Sequence, residues 1–276
     1  MEIVAGNIAN QINNCLGETN PNDLSTEEDE KEVSREVTAD ELSSAHRTQI
    51  CTVASKLSGI EFTIDQCCEA IEKLRELGFE VRVFKNVTYA FGDKRLKESP
   101  DRWLFDQISE NRISPTSATT EELIMICEVR EKPDVMDEQM WIQKPYPDDP
   151  FAEELKILYK ELDRDQLVNG KIFPESRGGF TYTQLENIVL PRFSNKAGLK
   201  VVCMPQIYVS VLANDHPEIG NGRSTEWRSD KVDENHVMIG GRSERGPVRF
   251  VYYDWKEDPY PNRGFRVCIV LEQESA

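Results

Sequence analysis

Apolar positions along this chain recur at intervals of three to four residues in its first two thirds and of about two towards its end. Ile64, Cys67, Cys68, Ile71, Leu74 and Leu77 follow the first rhythm, which places them on one helix face. Thr63 with Gln66 three residues on makes a capping box, and Gly78 supplies the stop. The opposite face carries Asp65, Glu69, Glu72, Lys73, Arg75 and Glu76. A first helix is expected over 47–57. After Gly78, alternating Phe79, Val81 and Val83 predict a strand, Lys85-Asn86 a turn, and 87–91 a returning strand. Trp103, Leu104, Phe105 and Ile108 stand at helical spacing as core anchors, and Leu123, Ile124, Ile126 and Cys127 predict a helix over 120–129. Asp149 as cap and Pro150 at the first position open another helix, with Phe151, Leu155, Leu158, Tyr159 and Leu162 on one face. A further helix is expected over 183–190, stopped at Pro191. Beyond Gly198 short strands are predicted at 199–204, 207–212, 236–239, 248–253 and 265–271. Between them a polar loop is expected over 214–233.

Composition adds a partition. Of the formal charge of -17, residues 1–46 contribute eleven acidic against two basic groups, so about -8 remains for the rest. That first stretch has too few large apolar residues to offset ordering entropy, and a flexible acidic leader is expected over 1–46. An α+β module follows over 47–130, a proline-rich linker with Pro133, Pro145 and Pro147 over 131–149, and a second domain over 150–276. The acidic field disfavours nucleic acid and anionic lipid as partners. No run approaches the eighteen apolar residues of a membrane span, and the chain begins without a secretory signal. Seven irregularly spaced cysteines without a Cys-x-x-Cys pair, mostly inside apolar runs, read as buried thiols in a reducing cytoplasm.

The segment with helix, helix and hairpin, spelled Ala70 to Val81 and then Tyr89, is similar to a winged helix-turn-helix. Its second helix would display four carboxylates against two cations, so the resemblance implies protein rather than DNA contact. The C-terminal part carries the more informative likeness. Gly240-Gly241-Arg242-Ser243, an excursion with Arg245, Arg249, Tyr252, Tyr253, Asp254, Trp255, Tyr260 and Arg263, and closing Gly264-Phe265-Arg266-Val267 resemble the end of the formylglycine-generating-enzyme and C-type-lectin fold. Glu226 to Asp230 sits where that family has a tryptophan-centred turn. The resemblance implies an α+β domain of irregular short strands, with Trp227, Gly240, Gly241, Gly264, Phe265 and Arg266 as its structural signature. It also implies that Arg266 satisfies loop carbonyls beneath the Gly-Gly turn.

In that family an oxidase branch holds copper through cysteines between the Gly-Gly turn and the Gly-Phe-Arg strand. This chain has none between Gly241 and Gly264, and Arg242-Ser243 departs from the family's Ser-Trp. The resemblance therefore implies an inherited fold without catalysis and without a catalytic cofactor. Cys268 is expected to point into the core. Two alternatives remain: an oxidase with a degenerate site, and a winged-helix transcription regulator. His216 with Asp215 and Glu218, and His236 with Asp233 and Glu234, could in principle bind a divalent ion, but a lone histidine beside acids in a loop is far more often solvated, and no metal site is expected. Asn214, Asn221, Asp230 and Asn235 add oxygen donors of the kind Ca2+ requires. In relatives of bacterial and phage origin ligands are read just ahead of the closing strand. By position Arg249, Tyr252, Asp254, Trp255, Lys256, Glu257, Tyr260 and Asn262 would bind a protein or glycan partner here. Aromatic rings beside polar handles are the composition of recognition surfaces.

Overall fold

The computed structural model describes residues 33–136, 142–162, 176–241 and 249–272, with the backbone of a short hairpin at Leu167–Val168 and Lys171–Ile172. The expected leader below residue 33, Cys15, and Arg242, Ser243, Arg245 and Val248 lie outside them. From Val33 onward the chain forms one compact α+β unit. Among the described residues no helix is long and apolar enough to cross a membrane.

The described residues hold structure ahead of residue 47, inside the expected leader. Ser34–Glu36 is already a strand, β1, and Val33, Val37, Ala39 and Leu42 are buried. Helix α1, Ser44–Ser58, is capped by the Ser43 side chain, and α2, Cys67–Glu76, follows the predicted capping box at Thr63 and Gln66. Strand β2, Phe79–Phe84, then pairs with β1. The expected hairpin does not form: β3, Val87–Thr88, pairs instead with β4, Thr119–Thr120, after helix α3, Arg102–Ser109. The winged-helix likeness thus lacks its wing.

The partner of β2 is β5, Leu123–Glu128, where a helix was expected. An unbroken apolar run fits either element, and here the run is buried on both faces of a sheet interior. Ile126 enters the core beside α1 and α2, while Met125 and Cys127 enter a second core on the opposite face. Helix α4, Ala152–Glu161, starts later than expected: Phe151 is its N-cap residue, without a side-chain cap bond, and Asp149 accepts the Phe151 amide at 3.1 Å from the turn ahead of it. The hairpin β6, Leu167–Val168, and β7, Lys171–Ile172, lies beyond it. Pro191 does not end the next helix. Helix α5, Tyr182–Gln184, widens into a π-turn over Leu185–Val189 and continues as α6, Leu190–Ala197. A π-turn ahead of proline relieves the ring's clash with the preceding turn.

Strand β8, Val201–Cys203, precedes helix α7, Gln206–Leu212, where a strand was expected. All seven residues of α7 are buried, so no helical stripe separates apolar from polar positions. The expected polar loop contains β9, Thr225–Lys231, the strand that replaces the tryptophan-centred turn. Strands β10, His236–Gly240, β11, Val251–Trp255, β12, Arg263–Phe265, and β13, Val267–Val270, complete the described chain.

One sheet runs β1-β2-β5-β13-β8 and is antiparallel throughout; the other runs β11-β10-β9-β12. The closing strand β13 therefore pairs with β5, across the expected linker at 131–149, and residues 47–130 and 150–276 share one sheet rather than forming separate domains. The chain passes from the second sheet into the first across a single residue, Arg266. Cys51, Cys67, Cys127, Cys203 and Cys268 are buried and Cys68 is exposed. Burial pushes the Cys127 thiol up to about 12.

Beside β2, His216 Nε2 lies 2.9 Å from Glu80 and Nδ1 lies 3.2 Å from Glu218. The Glu80 bond raises the His216 pKa, and His216 with Arg82 holds Glu80 low against the opposing effect of burial. A raised histidine contributes stability below its unfolded value of 6.5 and loses it as pH rises through the folded value. A lowered carboxylate contributes above 4.5 and loses it as pH falls through its folded value. The pair is therefore strongest between these limits. Urea unfolding of His216→Gln should show a loss of up to about 1 kcal/mol near pH 5.5 that shrinks by about pH 8.5; a loss independent of pH would refute the coupling.

Candidate functional site

The aromatic residues ahead of the closing strand divide between two places. Tyr252, Trp255 and Tyr260 are 48%, 54% and 45% exposed, so these three rings are not core. Strand β11 is an edge of its sheet, opposite β10 in the register Met238 to Tyr253 and His236 to Trp255. The rings run as a ladder along this edge: Trp255 to His236 at 4.4 Å, His236 to Tyr253 at 5.1 Å, and Tyr253 to Tyr252 at 4.9 Å between centroids. Trp103 of α3 closes the ladder, 5.9 Å from Tyr252 and 5.6 Å from Tyr253. Below it Leu104, Ile113, Met238 and Val251 form a small core of their own. Rigid rings held against one another lose little entropy when a partner covers them.

Tyr260 stands apart from this ladder, over the Arg263 guanidinium at 4.3 Å. Trp227 approaches the same guanidinium at 4.3 Å, and Asp254 pairs with it. Asp254 is thus spent on positioning Arg263. Arg249 bonds Glu98 at 2.7 Å, and Glu257 accepts from the Thr183 hydroxyl. Lys256 and Asn262 contribute through the backbone, bonding Asn235, Tyr182 and Thr225. Of the eight predicted contact residues, only Tyr252 and Trp255 share the ladder. Trp103, Tyr253 and His236 belong to it and were not among the eight; Trp103 reads as core from its helical spacing, and the place of His236 depends on register.

The ladder rests on a buried framework built from the signature residues. Trp227 is fully buried and donates to Phe180 O at 3.0 Å. A Cβ on Gly240 would collide with Gln206, and one on Gly264 with Gln143, while Gly241 holds a φ of +77°. Arg266 Nη1 donates to the carbonyls of Arg130 at 2.8 Å and Glu128 at 3.1 Å, and Nη2 to Ile219 O at 3.3 Å. None of these belongs to the Gly-Gly turn. The group that holds that turn is Lys132, whose Nζ donates to Gly241 O at 2.8 Å and Ser224 O at 2.6 Å.

Around Arg266 charges alternate in an unbroken buried row. Arg177 grips Asp149 through Nε at 2.8 Å and Nη2 at 2.9 Å, and reaches Glu128 through Nη1 at 2.6 Å. Arg266 lies 3.4 Å from Glu226, which takes Arg228 at 2.9 Å and the Tyr146 hydroxyl at 3.2 Å. Arg228 donates onward to Gln206 at 2.9 Å. Burial opposes ionisation of Glu128, yet Arg177, Arg130 and Arg266 hold it down at about 2. Burial pulls the Lys132 ammonium down to about 7 against the attraction of Glu226. Both groups are fully enclosed.

The proposed metal donors are dispersed. Asp215 pairs with Arg82, Asn214 bonds Arg95 and Lys97, Glu218 faces His216, and Asp233 bonds His236. Among the described residues no three His, Cys, Asp or Glu side chains gather as a metal site. No protein-family model, curated protein or solved structure matches the chain.

Removing one partner of a buried charge row leaves the others uncompensated. Glu128→Gln should lower unfolding free energy by about 3–5 kcal/mol in urea titration; a loss near that of a surface change would show the row to be dispensable. Lys132 has its pKa lowered in the folded state, so its desolvation cost is fully present below about pH 7 and is relieved as pH rises towards 10.5. The stability of the native chain should therefore rise relative to Lys132→Met between about pH 7 and pH 9.5, and parallel curves would count against a charged, buried Lys132.

Proposed function

We propose that this chain is a non-catalytic recognition protein that binds a protein partner along the aromatic ladder of β11. The reading keeps from the lectin-fold resemblance the position of the ligand-reading residues, just ahead of the closing Gly264-Phe265-Arg266. The observation that carries it is an edge strand flanked by exposed rings. Bonds from Gly241 N to Phe250 O and from Lys256 N to Asn235 O make the even-numbered residues of β11 the ones bonded to β10. The N–H and C=O of Tyr253 therefore face outward. Asp101 already covers the start of the strand, its amide donating to Arg249 O at 2.9 Å and its carboxylate accepting the Val251 amide at 3.5 Å. An extended segment of the partner adds to the remaining edge through backbone bonds, and the rings of Trp103, Tyr252 and Trp255 take its side chains.

A glycan is the second reading, favoured by the same exposed rings, which can stack on a sugar face. The outward row of edge-strand donors and acceptors supports the peptide, because an added strand pairs with it residue by residue.

Peptides selected from a displayed random library against the native chain, with a glycan array in parallel, test the proposal. Selected peptides should bind Trp255→Ala and Tyr252→Ala roughly thirtyfold more weakly, the loss of about 2 kcal/mol typical of an anchor residue, with circular dichroism unchanged because both side chains are exposed. Binding confined to the glycan array would transfer the site to the second reading. Ligands indifferent to both substitutions would remove the ladder from recognition altogether.

A further inference from the structure

A second site lies away from the ladder. Where the end of β9 meets the start of α7 and the turn Pro115–Ala118, the surface opens into a cleft of about 390 Å³, within the size range of small-molecule sites. Its floor is Asp230, a carboxylate that is 8% exposed. Oδ2 accepts the Gln206 amide at 2.8 Å, and the Ser117 hydroxyl bonds the same carboxylate. Among the described residues Asp230 has no ion-pair partner. Its nearest cation along the strand, Arg228, is committed to Glu226 and Gln206. A buried carboxylate facing no cation is costly.

The rest of the lining adds acceptors rather than positive charge. The hydroxyls of Thr119 and Ser229 border the cleft, and exposed Glu121 stands on its rim. Lys231 is the one lysine of the lining, and its Nζ is turned to Glu186 at 3.0 Å. What the cleft lacks is a group with several donors and a positive charge.

We propose that this cleft binds a small polar molecule through a primary ammonium group, which Asp230 accepts at the floor and the surrounding hydroxyls steady. Three N–H donors match the carboxylate and the hydroxyl oxygens, and one charge satisfies Asp230. The volume leaves room for a hydroxylated carrier of monosaccharide size, and an amino alcohol or an amino sugar meets both conditions. Burial raises the Asp230 pKa against the Gln206 amide and the Ser117 hydroxyl. Protonation of this group at low pH therefore removes the charge that holds the ligand, and affinity falls as pH drops. The inference is independent of the ladder, and neither stands or falls with the other.

Isothermal titration of the full chain with ethanolamine and glucosamine, against glucose and N-acetylglucosamine as uncharged controls, tests it. Both amines should bind and both controls should not. Asp230→Asn should weaken amine binding by about tenfold or more, and Glu121→Gln by about two- to threefold. Because Glu121 is exposed, its substitution keeps the test meaningful if Asp230→Asn fails to fold. Glucose bound as tightly as glucosamine would overturn the role of the ammonium. Amine binding unchanged in both variants, or none up to about 100 mM, a limit above the affinity of even weak sites, would overturn the site.

Discussion

The chain crosses between its two larger sheets at one residue, and that residue carries a charge. The backbone leaves the second sheet at Phe265 and enters the first at Val267, so Arg266 has its side chain at the seam with no access to water. A guanidinium in that place needs its charge and most of its donors met from both sides. Carbonyls of Glu128, Arg130 and Ile219 take the donors of Nη1 and Nη2, Nε is left without a partner among the described residues, and Glu226 with Glu128 meets the charge. Glu128 also accepts the Val267 amide at 3.2 Å, which ties the first residue of β13 to the end of β5.

From this seam the charge row extends into both halves of the molecule. Arg177 carries it to Asp149 at the start of α4, with the rings of Tyr146 and Phe265 at 4.7 and 5.5 Å from its guanidinium. Arg228 carries it to α7 through Gln206. Rows of this kind contribute little net stability compared with apolar packing of equal volume, but they penalise any arrangement that leaves one member unpaired. The ladder on β11 is joined to this framework through β10, where the Gln206 and Arg228 side chains pack against Gly240.

Much of this was readable from the chain alone where a single face of an element is apolar. The helix α2 with its capping box at Thr63 and Gln66 follows from local spacing, whereas the ligand-facing placement of Tyr252 and Trp255 was expected from the resemblance alone. The failures share a cause. Helix α7 is buried on all sides, and β5 is buried on both faces, so neither shows the contrast between faces on which periodicity depends. Strand β9 fails in the opposite sense, because Glu226, Arg228 and Asp230 make it look like a loop although all three are buried. Only partners distant in sequence make such a strand tolerable, and spacing cannot announce them.

What the sequence settled was local: where helices begin, which turns demand glycine, and that an aromatic and polar stretch precedes the last apolar strand. Those properties depend on residues within a few positions of one another. Tertiary structure alone decided that β13 crosses to β5, that Lys132 rather than Arg266 holds the Gly-Gly turn, and that Trp103 and His236 join Tyr252 and Trp255. Each of these is a meeting of segments separated by tens of residues or more, settled by which buried charges and faces could satisfy one another in three dimensions.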